Sequence, residues 1–350
     1  MDTMTIGSRT VGAQHAPYLI AEIGSNHNGD MELCRAMVKS AKENGAHAVK
    51  FQSFSNRSLI SNAEYERNTE YGDKKKHFGT LKQMVDAYQF TPEMHDEIAA
   101  YCRELGIDFM STPFAPDEVE LLASLDVPAI KVASMDINHP VLLRAIAETR
   151  KPVLLSTGMA TLQEIERALD ALSDAGSGPV MLLHCVSLYP PAPDQIHLRN
   201  IPMLAEVFGL PVGFSDHTLG TSVPMGAIAL GASLVEKHFT LDKGLAGWDH
   251  AISADPQELA ELARGMELVW RSLGSTRRTV SDDEMAQRRR FRRRVVLRRP
   301  VAAGTRLSLD DLDFKRPGTG IDPDEYRYVV GRTAGRDLEA DRELEWEDLG

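Results

Sequence analysis

The chain has 350 residues, 43% of them hydrophobic and 26% charged, enough to bury a full core as one large domain plus a smaller one, or as two of middling size. Its net charge of −12 argues against wholesale binding to nucleic acid or to an anionic membrane surface. The three cysteines, Cys34, Cys102 and Cys185, lie far apart and form no Cys-x-x-Cys pair, so neither a disulfide framework nor a zinc knuckle is indicated and a reducing cytoplasm fits best.

The first residues, "MDTMTIGSRTVGAQHAPYLIAEIG", lack a basic start followed by a long apolar run, and no apolar stretch is long enough to span a bilayer. From there short apolar runs alternate with longer segments of helical period. The runs are "YLIAEI" (18–23), "AHAVKF" (46–51), "IDFMST" (107–112), "PAIKVA" (128–133), "PVLLST" (152–157), "VMLLHC" (180–185), "PVGFSD" (211–216) and "SLVEKH" (233–238). Segments such as 30–45, 91–106 and 161–176 carry apolar residues at spacings of three and four. Thr91 before Pro92, and Thr161 three residues before Glu164, mark helix starts; Gly106 and Gly176 suit helix ends.

Eight strand–helix units in a row predict an α/β fold, a (β/α)₈ TIM barrel closed by a helix over 256–274. A doubly wound open sheet would want a Gly-rich phosphate turn, which the sequence lacks. Residues 52–90 form a long polar connection, a length more often functional than idle. After Ser275 the texture changes to an Arg-rich run and short strands, with a weak repeat between "VAAGTRLSLDDL" (301–312) and "LEADRELEWEDL" (338–349). The expected domains are 1–274, a linker at 275–290, and a small β-rich domain at 291–350.

Chemistry in such barrels sits at the C-terminal strand ends. Here every run ends in groups that bind charge: Glu22; Lys50 with Gln52; Ser111 and Thr112; Lys131 with Ser134 and Asp136; Ser156 and Thr157; His184, Ser187 and Tyr189; Ser215, Asp216 and His217; Glu236 and His238. One charged strand end is usually a solvated edge. Eight converging sets are hard to explain as structure, because charged residues are so seldom fully buried. Lys50 and Lys131, with Ser134, Ser156 and Ser215, make a site for a phosphate or carboxylate. His217 and His238 follow adjacent strands and are placed to share a divalent cation, although two histidines alone are more often hydrogen-bonded core residues. Glu22, Glu236 and Asp249 are candidates to complete the ligand shell or to act as acid–base groups.

These are the residues on which a family resemblance rests. "AEIGSNHNGD", "VKFQSF", "STPF", "IKVASMD", "LLSTGMAT", "LLHCVSLYP", "GFSDHTLG" and "EKHFTLDK…GWDH" resemble, in order, the signature segments of the sialic acid synthase family, which includes the N-acetylneuraminate, legionaminate and pseudaminate synthases. The tail, with "KRPGTG" (315–320), resembles the type III antifreeze-like (β-clip) domain of these enzymes. The resemblance implies condensation of phosphoenolpyruvate with the open-chain aldehyde of an N-acylated amino sugar, such as N-acetylmannosamine or a di-N-acetylated 6-deoxy hexose, with phosphate released by C–O cleavage. It implies a divalent ion, commonly Mn²⁺ with Mg²⁺ or Co²⁺ as alternatives, on His217 and His238. Phosphoenolpyruvate would meet Lys50, Thr112, Lys131, Ser134, Ser156, Ser187 and Ser215. The sugar would meet Gln52, Asp136, Tyr189, Asp249 and, from the partner chain of a domain-swapped homodimer, Arg316. Glu22 would be an acid–base group, with Lys50, Lys131, Glu236 and Asp249 in the same catalytic set.

The sequence departs from the family pattern at Thr319 in "KRPGTG", where asparagine is commoner, and in four places in the barrel. Asp136 stands where many bacterial members have glutamate, and Ser187 replaces a common asparagine. "GWDH" replaces the usual "G-P-D-H", setting Trp248 beside Asp249. Residues 71–82 carry four lysines and lack a usual acidic residue, which leaves a phosphorylated acceptor open, although a solvated charged loop is the commoner case. Three rival readings stand beside the synthase. The Arg run at 288–299 could suggest a nucleic-acid binder, but the negative net charge and the lack of interleaved aromatics beyond Phe291 argue against it. A metal-dependent aldolase on the same barrel would not need two strand-end lysines and a serine cluster for a departing phosphate. A purely binding, antifreeze-type protein would leave the polar barrel mouth unexplained.

Overall fold

Strands that are hydrophobic on both faces need cover on both sides, and the eight apolar runs find it by closing on themselves inside a ring of helices. The computed structural model describes residues 3–69, 72–73, 76–77, 80–316 and 318–350; the side chains of 72–73, 76–77 and 289 are outside it, as is most of the lysine-rich stretch 71–82. The barrel strands are β1 (Tyr18–Gly24), β2 (Ala48–Ser53), β3 (Asp108–Pro113), β4 (Ile130–Val132), β5 (Val153–Ser156), β6 (Val180–Cys185), β7 (Val212–Asp216) and β8 (Leu234–His238). They pair in parallel and in chain order, and β8 closes on β1. The expected TIM barrel is what the chain forms.

The helix signals act as their chemistry requires. Thr91 accepts a hydrogen bond from the Met94 amide, Thr161 and Glu164 form a reciprocal capping box, and Gly106 ends its helix at φ 64°. One element has no counterpart among the sequence expectations. Residues Thr3–Ile6 and Arg9–Gly12 form an antiparallel hairpin. Its Met4, Ile6 and Val11 join Tyr18, Ile20, Met110, Leu154, Met181 and Leu234 in one buried cluster, separate from the core between strands and helices. Gly7 makes the turn at φ 56°, a backbone conformation other residues seldom adopt.

The connection after β2 contains two helices, Asn62–Arg67 and Leu81–Tyr88. Its apolar residues collect into a satellite core of Phe54, Tyr65, Leu81, Met84, Val85, Tyr88 and Phe114. Of the four lysines, Lys82 is described, and it pairs with Asp86 at 2.7 Å.

Contacts divide the chain into Met1–Gly274 and Ser275–Gly350. The stretch read as a linker contains most of a helix, Asp282–Phe291. Beyond it a two-stranded ribbon, Arg294–Leu297 with Leu312–Lys315, covers a small core that includes Val295, Leu307, Val329 and Leu344. The repeat is structural: Arg299 holds Asp311 in one copy and Arg336 holds Asp348 in the other, and Val301 bridges to Leu338 between them. Arg294, within the basic run, is likewise paired internally, with Asp322. Among the described residues no helix is long and apolar enough to cross a membrane.

Candidate active site

Strand alternation sorts the polar strand ends into two sets. Glu22, Lys50, Gln52, Thr112, Lys131, Ser134, Ser156, Ser187, Tyr189, Ser215, His217, Glu236 and His238 all line one cavity of about 370 Å³. Their neighbours point outward into the helix layer. Ser111 bonds Ser53, which bonds His95; His184 bonds the Ile196 carbonyl; and Asp216 receives Lys237. In "EKH", therefore, Glu236 and His238 face the cavity and Lys237 faces away. Lys237 is buried against Asp216 at 2.7 Å and donates to the Thr218 carbonyl at 2.6 Å, clasping the turn that carries His217 from both sides. The contact offsets the burial of that charge, which would otherwise be costly.

Register brings the charged floor together. Glu22 lies opposite Lys50 across β1 and β2, and opposite His238 across β8 and β1. Lys50 Nζ sits 2.8 Å from Glu22, 3.1 Å from Thr112 Oγ1 and 3.7 Å from Glu236. Lys131 Nζ is 3.8 Å from Glu236, whose carboxylate also accepts from Ser215 at 2.8 Å. All four ionisable groups are buried. Burial raises the Glu22 carboxyl to about 7, with the Glu236 charge adding to the rise and Lys50 opposing it. At Glu236 burial pushes the same way, but Lys131 and Lys50 overcome it and hold the group at about 2. Burial lowers Lys131, while at Lys50 the two glutamates outweigh burial and raise it. Two neighbouring carboxylates are thus split into one that is ionised and one that exchanges its proton near neutral pH.

Serines close one side of the floor. Gly158 donates its amide to Ser134 Oγ at 3.0 Å, and a Cβ there would lie 2.4 Å from Ser187 Oγ and 2.7 Å from Ser134 Oγ, so only glycine lets the two hydroxyls approach. Ser156 Oγ is buried with no hydrogen-bond partner, as is Glu236 Oε2. Buried polar atoms left so are the mark of a ligand site. Gly24, at φ 53°, lets the chain turn away directly behind Glu22.

On another side stand two imidazoles with ring centroids 5.5 Å apart. His217 donates from Nδ1 to the Val186 carbonyl at 2.9 Å if that nitrogen carries the proton, and its ring also bonds Cys185, which together outweigh burial and raise it. Burial holds His238 at about 4 and therefore neutral, and its Nδ1 is buried without a hydrogen-bond partner. A neutral imidazole with an unused nitrogen fits a metal ligand. Asp249 comes within 3.8 Å of His238. Among the described residues no three His, Cys, Asp or Glu side chains gather to hold an ion, so water or substrate oxygens would have to complete any shell built on this pair. Cys185 lies against His217: burial alone would raise its thiol, but His217, with Lys131 and Ser134, outweighs that and lowers it.

Three expected residues do not line the cavity. Asp136 is half-buried beside it, with one carboxylate oxygen unpartnered, and burial raises it to about 6. Asp249 stands behind His238. Arg316 belongs to the second unit, where it lies over the Phe291 ring at 5.5 Å. Conversely, Leu59, Phe114, Ala133, Met135, Met159 and Cys185 line the cavity without having been expected there. Apolar side chains carry no chemical signal in a sequence; only the position of Phe114 after "STP" points toward the mouth.

The comparisons with known proteins agree with this geometry. The NeuB family model matches residues 37–278, and the SAF domain model matches 292–350. The chain is 38% identical to the N,N'-diacetyllegionaminic acid synthase of Legionella pneumophila over 98% of this chain and 97% of that one. It is 33% identical to the human N-acetylneuraminate-9-phosphate synthase over 93% and 90%. The crystal structure of N-acetylneuraminic acid synthetase from Leptospira borgpetersenii, in complex with citrate, superposes with a TM-score of 0.73 at 32% identity, covering 81% of this chain and 94% of that one. With a buried, ligand-ready pocket at its strand ends and a match to family members from end to end, the protein belongs to the NeuB family of sialic-type acid synthases and carries a C-terminal SAF domain.

Proposed function

We propose that the protein condenses phosphoenolpyruvate with the open-chain aldehyde of an N-acylated amino sugar, forming a nonulosonic acid and releasing phosphate by C–O cleavage. The observation that carries this reading is the divided cavity: two buried lysines and the unpartnered Ser156 hydroxyl on one side, and on the other two neighbouring imidazoles, of which His238 keeps an unpartnered Nδ1. Lys50, Lys131, Thr112, Ser134, Ser156, Ser187 and Ser215 bind the phosphate and carboxylate of phosphoenolpyruvate. Gln52 and Tyr189, which line the cavity, face the sugar, and Asp136 and Asp249, set beside it, would reach the sugar only at its edge. His217 and His238 would hold the divalent ion, which when bound would act as a Lewis acid on the aldehyde oxygen. C3 of the enol bonds to the aldehyde carbon, water adds at C2, and the C2–O bond breaks as phosphate leaves. The carboxylate of Glu236, fixed as an anion, stabilises positive charge developing at C2. Glu22, protonated when phosphoenolpyruvate is bound, gives its proton to the aldehyde oxygen as the C–C bond forms and, once ionised, takes a proton from the water. An aldolase on the same barrel would release no phosphate. Screening N-acylated amino sugars for sugar-dependent phosphate release, with mass spectrometry of the product, tests the reading.

The state of Glu22 adds a prediction. Its carboxyl is raised to about 7, and a bound anion nearby raises it further, so binding at pH 7 draws in a proton. Calorimetry of phosphoenolpyruvate binding in buffers of different ionisation enthalpy should show proton uptake that is smaller in Glu22→Gln. Equal uptake in both proteins would contradict the assignment.

The expected domain-swapped homodimer remains part of this proposal. Met135, Met159, Leu188 and Leu219, on the loops that follow β4 to β7, are 44% to 71% exposed. Such an apolar rim suits cover by a second copy. With Arg316 supplied in trans, Arg316→Ala should raise the sugar KM and leave phosphoenolpyruvate affinity nearly unchanged. Mixing Arg316→Ala with Lys131→Ala chains should recover part of the activity, because one hybrid site holds both native residues. Mixed dimers that recover nothing would show that the arginine does not act in trans.

A further inference from the structure

The long connection after β2 and the residue Trp248 contribute to the same wall of the catalytic cavity. Leu59, Ala133 and Trp248 pack against the satellite core built from that connection, and with Phe114, a member of the core, they line the cavity. Trp248 is tilted against Tyr88, with ring centroids 5.9 Å apart, so the indole rests on a buried ring. The cavity is thus polar at its floor and apolar on one side.

Charge points the same way. Among the described residues the cations that line the cavity are Lys50 and Lys131, and both are engaged by Glu22 and Glu236 at the floor. A dianion placed against Leu59, Phe114 and Trp248 would give up its water for carbon. A methyl group there would instead lose unfavourable contact with water.

Resting on the condensation proposed above, we propose that Leu59, Phe114 and Trp248 form an apolar subsite that selects an acceptor sugar ending, remote from its aldehyde, in an uncharged, methyl-bearing group rather than a phosphate. Trp248 is the specificity-determining residue of this wall, because its indole spans from the satellite core to the cavity.

The test uses three acceptors that differ only at the terminal carbon, which is a methyl, a hydroxymethyl or a phosphorylated hydroxymethyl group. The readout is kcat/KM for sugar-dependent phosphate release at saturating phosphoenolpyruvate. Recognition of a single methyl in an apolar pocket gives roughly 10- to 200-fold discrimination. The methyl acceptor should therefore exceed the hydroxymethyl one by at least about tenfold, and the phosphorylated one should be poorest. Trp248→Ala should reduce the methyl preference to within about threefold while the KM for phosphoenolpyruvate stays within twofold. Trp248→Phe should retain most of the preference, and Leu59→Ala, checked for folding by circular dichroism, should lower it in the same direction. A best rate with the phosphorylated acceptor would overturn the proposal; its loss on replacing Lys74, Lys75 and Lys76 with alanine would assign the acceptor end to those lysines instead. An unchanged methyl preference in Trp248→Ala and Leu59→Ala would also overturn it. Phosphate release that discriminates wrongly sinks the subsite alone, whereas no phosphate release with any acceptor sinks the condensation itself.

Discussion

His238→Ala should lower turnover by about 10²-fold or more while the barrel stays folded. Changing only an outer-shell partner of a metal ligand already costs about 10- to 100-fold, and here one of the two proposed protein ligands would be removed outright. The side chain is buried at the end of β8, beside Glu22 in register and 3.8 Å from Asp249, and burial keeps its ring neutral. Its ring packs against Tyr189 and His217, while its Nδ1 has no hydrogen-bond partner within the chain. Chelation of the native enzyme should abolish activity and Mn²⁺ should restore it, with titration of Mn²⁺ by electron paramagnetic resonance showing weaker binding in the variant. Full activity of metal-stripped enzyme would remove the ion from the account.

Lys131→Ala should weaken phosphoenolpyruvate binding severely. Truncating one partner of a desolvated charge pair costs about 2–5 kcal/mol, which corresponds to roughly 30-fold or more in affinity. The lysine is 4% exposed, and its charge is answered by Glu236 and the Val132 carbonyl until an anion arrives. Its loss removes a binding cation and also strips Glu236 of one of the two charges that keep it ionised. A KM for phosphoenolpyruvate within twofold of the native value would contradict the assignment.

How much of this is legible in the sequence depends on what kind of signal each residue carries. Strand ends are readable because burying Lys50, Lys131, Glu22 and Glu236 makes sense only where they meet a ligand or one another. Period-two alternation then decides which of them meet, and Ser111, His184 and Asp216 fall on the outward phase. The same alternation, applied strictly along "EKH", separates Glu236 and His238 from Lys237 on the sequence alone. The N-terminal hairpin escapes such a reading because two four-residue strands present too few apolar positions to show a period. Strands β4 and β5 are shorter than their apolar runs. The apolar wall is invisible for a different reason. Leu59, Phe114 and Trp248 are separated by up to about 190 positions, and an apolar residue looks the same in a core as in a substrate pocket. Arg316 lies in the second unit, and its place at a site belongs to the proposed dimer rather than to any local signal in the sequence.

The most direct test of the central claim follows the fate of one oxygen atom. Phosphoenolpyruvate labelled with ¹⁸O at the oxygen that bridges C2 and phosphorus is turned over with an N-acylated amino sugar, and both products are weighed by mass spectrometry. Cleavage of the C2–O bond sends the label into inorganic phosphate, and the new keto acid takes its C2 oxygen from water; this, strictly dependent on the sugar, is the expected result. Label retained in the keto acid, or phosphate released at the same rate without any sugar, would contradict the claim that this barrel joins phosphoenolpyruvate to an aldehyde by C–O cleavage.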